Sequence, residues 1–337
     1  MYVYRNINWR IVFKFAWKRI LFYFIYGALV IFAHHEFSHI GNGIDISIPY
    51  SPIGTIGIAV AFYVGFKNNQ SYDRFWEARK IWGGIVNYSR TWGNQVMNLV
   101  QIGDMTPEEL AQTKQHLVYR HLAWINALKL QLRRPSSFSI KYEKRATHGL
   151  YKGEPGGEDW KKDVGPFLQD FEINVCKTYK NTATQLVKMQ GELLKKLHKS
   201  EQINNFEHIH MMETLEEMYN LQGKCERIKN TPLPRQYSYF SFIFSWIFIL
   251  VLPFALIGEF ADMGHNYVWL TLPIYVLISW IFITMETVGD SSEDPFENFV
   301  NDVPMTALCR TIEIDLREML GETDLPPKVA HQDGVLM

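Results

Sequence analysis

Two sets of residues in this sequence have types and spacings that could do chemistry. The first is His35, Glu36, Phe37, Ser38 and His39, an HExxH pattern. On a helix, two histidines four positions apart share one face and bind zinc, and the glutamate between them activates a metal-bound water. Alone, the pattern points to a membrane metalloprotease. Gly41 and Gly43 argue against it by ending any helix at once, and no acidic third-ligand motif sits in another apolar run. The alternative is an interfacial loop whose imidazoles and Glu36 cap a membrane helix at headgroup level, and this reading is preferred.

The second set works by shape. Ile58, Phe62 and Phe66 recur every four residues and therefore share one helix face. Such a stripe ordinarily faces lipid or a neighbouring helix, and periodicity does not decide between that and a special role. Gly57, Ala61 and Gly65 form an adjacent row of small residues that lets neighbouring helices approach closely. If several copies surrounded an axis, the three bulky residues would stack as apolar rings, a constriction able to gate ions by dewetting.

The elements that must position these residues follow from where charge is absent. The chain has 337 residues, 47% of them hydrophobic. Its mean hydropathy of -0.12 is that of a soluble protein, yet the apolar residues cluster near the two ends. Segments 46–66, 236–258 and 266–285 hold no Asp, Glu, Lys or Arg, and each is about long enough to cross roughly 30 Å of hydrocarbon. Segment 20–33 is shorter, but Lys18 and Arg19 can snorkel while Phe13, Phe15 and Trp17 extend it at the interface, giving four spans. A cleaved signal peptide is disfavoured because His34, His35 and Glu36 stand where small residues are needed.

Arg5, Arg10, Lys14, Lys18 and Arg19 precede the first span, and Lys67, Arg74, Arg79 and Lys80 follow the second. Loops 34–45 and 259–265 carry no Lys or Arg. Positive residues stay inside, so both termini are expected in the cytoplasm of a multi-pass protein of the cell (inner) membrane.

Segment 67–235 has helical spacing and reads as a helical cytoplasmic domain. It separates residues 1–66, with an N-terminal interfacial helix and two spans, from spans three and four in 236–288 and a C-terminal helix and tail in 289–337. Thr106, Pro107, Glu108 and Glu109 predict a helix running to about Arg133. Prolines and glycines make 134–164 a connection, and further helices are expected over 166–198 and 205–227. The core is expected to end near Gly321, leaving a weakly ordered tail after Leu325.

Cys176, Cys225 and Cys309 form no CxxC pair and read as reduced thiols, so no cysteine metal site is expected. A net charge of -1 with interleaved signs gives no tract for nucleic acid.

The run Phe66, Lys67, Asn68, Asn69, Gln70, Ser71, Tyr72, Asp73, Arg74, Phe75, Trp76, Glu77, Ala78, Arg79, Lys80, Ile81, Trp82, Gly83 resembles the signature of the bacterial bestrophin homologues. Two more blocks are similar to the same family: Cys225, Glu226, Arg227 and Ile228 leading to Pro232 and Pro234, and Glu293, Asp294, Pro295 and Phe296 followed by Asn301 and Asp302. The resemblance implies an all-α membrane protein with four transmembrane helices and a helical cytoplasmic domain, assembled as a funnel-shaped homopentamer. It implies a passive ion channel and not an enzyme, with membrane lipid, small inorganic ions and copies of itself as partners. Family neck residues fall on Ile58, Phe62 and Phe66, and a deeper cytoplasmic aperture falls on Ile209 or Phe206. Anions are favoured because animal members pass chloride, while some bacterial relatives resemble cation channels. Animal members hold calcium in an acidic cluster, but here Glu297, Asn298 and Phe299 follow Phe296 and the run of acids is missing. No cofactor is therefore expected.

Overall fold

Apolar blocks and capped polar segments become helices, and the lengths of those helices organise the chain. The computed structural model describes residues 1–7, 9–39, 43, 45–134, 160–332 and 334–337. Within them lie α1 (Trp9–His39), α2 (Tyr50–Leu99), α3 (Pro107–Arg133), α4 (Trp160–Asp163), α5 (Asp170–Lys177), α6 (Thr182–Lys199), α7 (Asn205–Asn230), α8 (Arg235–Asp262), α9 (Thr271–Ser292) and α10 (Met305–Met319).

Helix starts follow local chemistry. Thr106 Oγ1 accepts from the Glu109 backbone N–H at 3.2 Å while the Glu109 carboxylate accepts from the Thr106 N–H at 2.8 Å, and Pro107 opens the helix behind them. Asn204 and Glu207 make the same reciprocal pair at 2.9 and 2.7 Å, which fixes where α7 begins. Gly321 adopts a φ of +81° just past α10, the left-handed stop that glycine supplies most cheaply.

Three helical segments among the described residues are long and apolar enough to cross a membrane: Phe15–Ser38, Arg235–Asp262 and Asn266–Ser292. The expected second span differs from the expectation over 46–66. Residues 45–49 are outside any helix, and the apolar stretch from Tyr50 to Phe66 is the N-terminal third of α2, a helix of 50 residues. At 1.5 Å per residue α2 is about 75 Å long, so it runs well beyond any bilayer.

That length puts α2 in two cores. Ile53, Val60 and Val64 pack with Tyr23 of α1, Phe248 and Leu252 of α8, and Tyr275 and Ile283 of α9. Ala78, Trp82, Ile85, Trp92 and Val96 belong to a second core with α3, α6, α7 and α10. There α7 runs antiparallel to α2. Arg227 pairs with Glu77 at 2.5 Å near the membrane bundle, and at the far end the Gln101 N–H donates to the Gln202 carbonyl at 2.8 Å.

Two further expectations are corrected. The single helix over 166–198 is broken into a 3-10 turn at Gly165–Phe167, then α5 and α6. Asn181 ends the gap by accepting from the Thr184 N–H at 3.0 Å, a capping signal that outcompetes continuity. The tail after Leu325 is tied down: the Val3 N–H donates to the Gly334 carbonyl and the Leu336 N–H to the Met1 carbonyl, both at 2.8 Å, and Val335 is buried. Pairing between residues so far apart leaves no local signature. The expected connection over 134–164 lies largely outside the described residues.

The second core contains a buried base. His121 Nε2 lies 2.8 Å from Ser89 Oγ, with its ring between Trp92 and Trp124 at centroid distances of 6.4 and 5.1 Å. Burial pushes its pKa down from 6.5 to about 3. Below pH 6.5 the unfolded chain binds a proton that the folded protein refuses, so stability present above that pH is lost as pH falls toward 3. Asp302, pushed up to about 7 by burial, acts in the opposite sense between pH 7 and its ordinary 3.8. A comparison with His121→Leu, which keeps Asp302, isolates the histidine. In equilibrium unfolding, the wild type is expected to lose about 1.4 kcal/mol per pH unit relative to His121→Leu below about pH 6. Parallel pH dependences for the two proteins would contradict this.

Candidate pore-lining site

The stripe singled out in the sequence lies on the outside of the chain. Ile58 is 75% exposed, Phe62 78% and Phe66 47%. The opposite face of the same turns carries Val60, Val64 and Lys67, all buried. The exposed stripe continues past Phe66 through Asn69, Asp73 and Trp76 at spacings of three and four. Large apolar side chains are thus left without cover within this chain while the helix behind them is packed.

The small-residue row divides. Gly57 faces Phe248 of α8, where an added Cβ would stand 2.8 Å from the ring, so this glycine serves packing inside one chain. Nothing lies within 4 Å of such a Cβ at Gly65, which leaves that position open for another copy.

Aromatic residues of α8 support the lower end of the stripe. Phe66 meets Tyr237 at 6.2 Å between centroids, and Tyr63 stacks on Tyr237 at 6.0 Å and meets the edge of Phe244 at 5.8 Å. Directly after Phe66 the chain turns polar. The Lys67 ammonium, 1% exposed as a residue, lies 2.5 Å from Glu286 Oε1 and 2.6 Å from Asp290 Oδ1 of α9. Ser241 of α8 donates to the other oxygen of Glu286 at 2.5 Å. Asn68 Nδ2 donates to the Met285 carbonyl at 2.9 Å, and its side chain fills the space a Cβ at Gly289 would need. Arg19 of α1 donates to Thr287 Oγ1 at 2.6 Å. About two turns further along α2, Arg74 donates through Nε to the Glu293 carbonyl at 2.7 Å and through its terminal nitrogen to the Ile228 carbonyl. All four elements of the membrane bundle are tied at this level.

This joint was missed in the sequence. Its signal was present: Glu286 and Asp290 stand four apart just after the apolar run of α9, and ionisable groups at the edge of a membrane helix usually have partners.

The two aperture candidates are exposed at the start of α7, Phe206 at 83% and Ile209 at 49%. The His210 carbonyl accepts from Gln95 Nε2, so this region lies beside the far end of α2, about 45 Å along the helix from Phe66. The structure does not bring neck and aperture together.

The acids near Phe296 are engaged by the protein. Glu293 is buried and accepts from Arg235 at 3.3 Å and Ser238 at 3.2 Å, and Glu297 pairs with Lys229 at 3.3 Å. Asp302 accepts from the Phe299 N–H at 3.1 Å. Each of these three acids therefore has at least one donor within the chain.

The HExxH residues lie on the last turns of α1, which reaches His39. His35 Nδ1 is 4.0 Å from Glu36 Oε1, and His34 faces Asp45 at 3.9 Å. Among the described residues, no three His, Cys, Asp or Glu side chains converge at metal distance.

Comparison with known proteins identifies the family. The family model described as Bacterial/Fungal Bestrophin protein matches residues 6–318. The voltage-dependent anion channel-forming protein YneE of Escherichia coli K12 is 27% identical over 312 residues, covering 93% of this chain and 89% of that protein. A voltage-dependent anion channel-forming protein of Mesorhizobium japonicum is 28% identical over 279 residues, covering 83% and 77%. A crystal structure of a bacterial bestrophin homolog from Klebsiella pneumoniae superposes with a TM-score of 0.74 at 26% identity, over 90% of this chain and 98% of that one. With a family-model match that runs from residue 6 to residue 318 of an all-helical fold, this chain belongs to the bestrophin family.

Proposed function

We propose that this protein is a passive ion channel, a homopentamer whose pore is lined by the exposed stripe of α2 and continues through a vestibule built by the cytoplasmic helices. The observation that carries this reading is the exposure of Ile58 and Phe62, at 75% and 78%, on a helix otherwise packed on its opposite face. Lipid offers such residues nothing specific, whereas copies around an axis turn them into stacked apolar rings. The N-terminal third of α2 then serves as the fourth membrane-crossing element, and both termini stay on the cytoplasmic side. Phe206 and Ile209 form a second constriction at the far end of the vestibule.

Anions are the favoured cargo, because the relatives described above are named as forming anion channels. One observation favours cations. Glu213 and Glu216 are exposed one to two turns beyond Ile209 on the same side of α7, and Asp73 is exposed two turns past Phe66. Rings of acids near an axis raise the local cation concentration. A reversal potential in a potassium chloride gradient separates the two readings. Anion conduction places it near the chloride equilibrium value, and Glu213→Gln with Glu216→Gln moves it further that way. A value near the potassium equilibrium potential would replace the anion reading with the cation one.

Phe62→Ala with Phe66→Ala widens the apolar rings and makes them easier to wet. In planar bilayers the current at fixed voltage is expected to rise on the order of tenfold, the change given by a barrier lower by about 1.4 kcal/mol. Assembled protein that passes no current in either form sinks the channel, and an unchanged current sinks the neck.

Calcium takes no part in this scheme, since Glu293, Glu297 and Asp302 are occupied by donors of the chain. Currents with and without a calcium chelator are expected to agree. A loss of current on chelation would contradict this.

A further inference from the structure

Lys67 follows Phe66 in sequence but points the other way, into the protein. Lysine is almost never fully buried without a compensating charge, and here the ammonium sits between two carboxylates of α9, Glu286 and Asp290, at 2.5 and 2.6 Å. Glu286 is itself buried and held by Ser241, so its carboxylate is a fixed acceptor. Asp290 reaches the boundary, with a third of its side chain exposed.

Such a contact is directional. Apolar packing of Val60 and Val64 against α8 and α9 tolerates small rotations of α2, because dispersion is nearly isotropic. The buried Lys67 ammonium does not, since rotation pulls it away from the two carboxylates that stand in for its water. Lys67 and the neck stripe occupy opposite faces of one rigid helix, so the angle that seats the ammonium also aims Ile58, Phe62 and Phe66. Asn68 on the Met285 carbonyl and, about two turns on, Arg74 on the Glu293 carbonyl fix α2 longitudinally.

We infer that Lys67, held by Glu286 and Asp290, is the positioning residue of the neck: it sets the rotation of α2 and thereby the equilibrium between wetted and dewetted rings. The inference rests on the proposed pore, and it concerns this chain's own ion pair.

The test is single-channel recording of purified, assembled wild type, Lys67→Arg, Lys67→Met and Asp290→Asn, with the melting midpoint measured on the same samples. Asp290 is partly exposed, so its variant keeps the test alive if Lys67→Met does not assemble. Open probability at fixed voltage is expected to shift by about fivefold or more in Asp290→Asn and Lys67→Met, a typical size for coupling between sites. The conductance of the open state stays at the wild-type value, because no pore-lining side chain changes. Lys67→Arg retains a cation that can reach both carboxylates and stays near the wild-type open probability. A merely structural joint lowers the melting midpoint and leaves open probability untouched, and that outcome overturns the inference. If Phe62→Ala with Phe66→Ala still changes the current in that case, the neck stands without its anchor. If the neck variant is silent as well, the pore reading fails instead.

Discussion

A lysine ammonium buried between two carboxylates constrains this protein more than any apolar contact does. Removing either side of such a site strands a charge away from water, which costs about 3–5 kcal/mol in comparable buried pairs. The pair therefore admits one arrangement of α2 against α9. Because α2 is a single helix of 50 residues, an orientation fixed at Lys67 holds for the apolar stripe on one side of it and for the second core on the other.

The two cores make different demands. In the second core, water drives Trp82, Trp92, Trp124 and their neighbours together, and polar groups such as His121 are accepted only with a partner or without their charge. Within the bilayer that drive is absent, since lipid is as apolar as the helices, and association depends on close fit and a few polar ties. Gly57 against Phe248 supplies fit. Arg19, Lys67, Ser241 and Glu286 supply the ties, all at one end of the apolar bundle. The membrane bundle is thus held in register from one end, by the same residues that join it to the second core.

Much of this was legible in the sequence because its causes are local. The start of α3 follows from Thr106, Pro107 and Glu109, and the shared face of Ile58, Phe62 and Phe66 follows from helical periodicity. What stayed hidden depends on residues distant in the chain. Lys67 and Glu286 are 219 positions apart, and nothing local to either residue points to the other. The burial of Val335 against the N-terminal segment, and the division of 166–198 at Asn181, likewise arise from contacts and caps that composition averages away. Periodicity placed the neck residues on one face without saying what that face meets. Their exposure in the folded chain, with Lys67 anchored behind them, adds the missing direction.

The central claim is that this face meets a symmetry axis. An electron cryomicroscopy map of the assembled protein in lipid nanodiscs tests it directly. The account predicts several copies around one axis, with Ile58, Phe62 and Phe66 in consecutive rings and Lys67 directed outward onto Glu286 and Asp290. A map in which the stripe faces lipid, or in which α2 lies away from the axis, contradicts it.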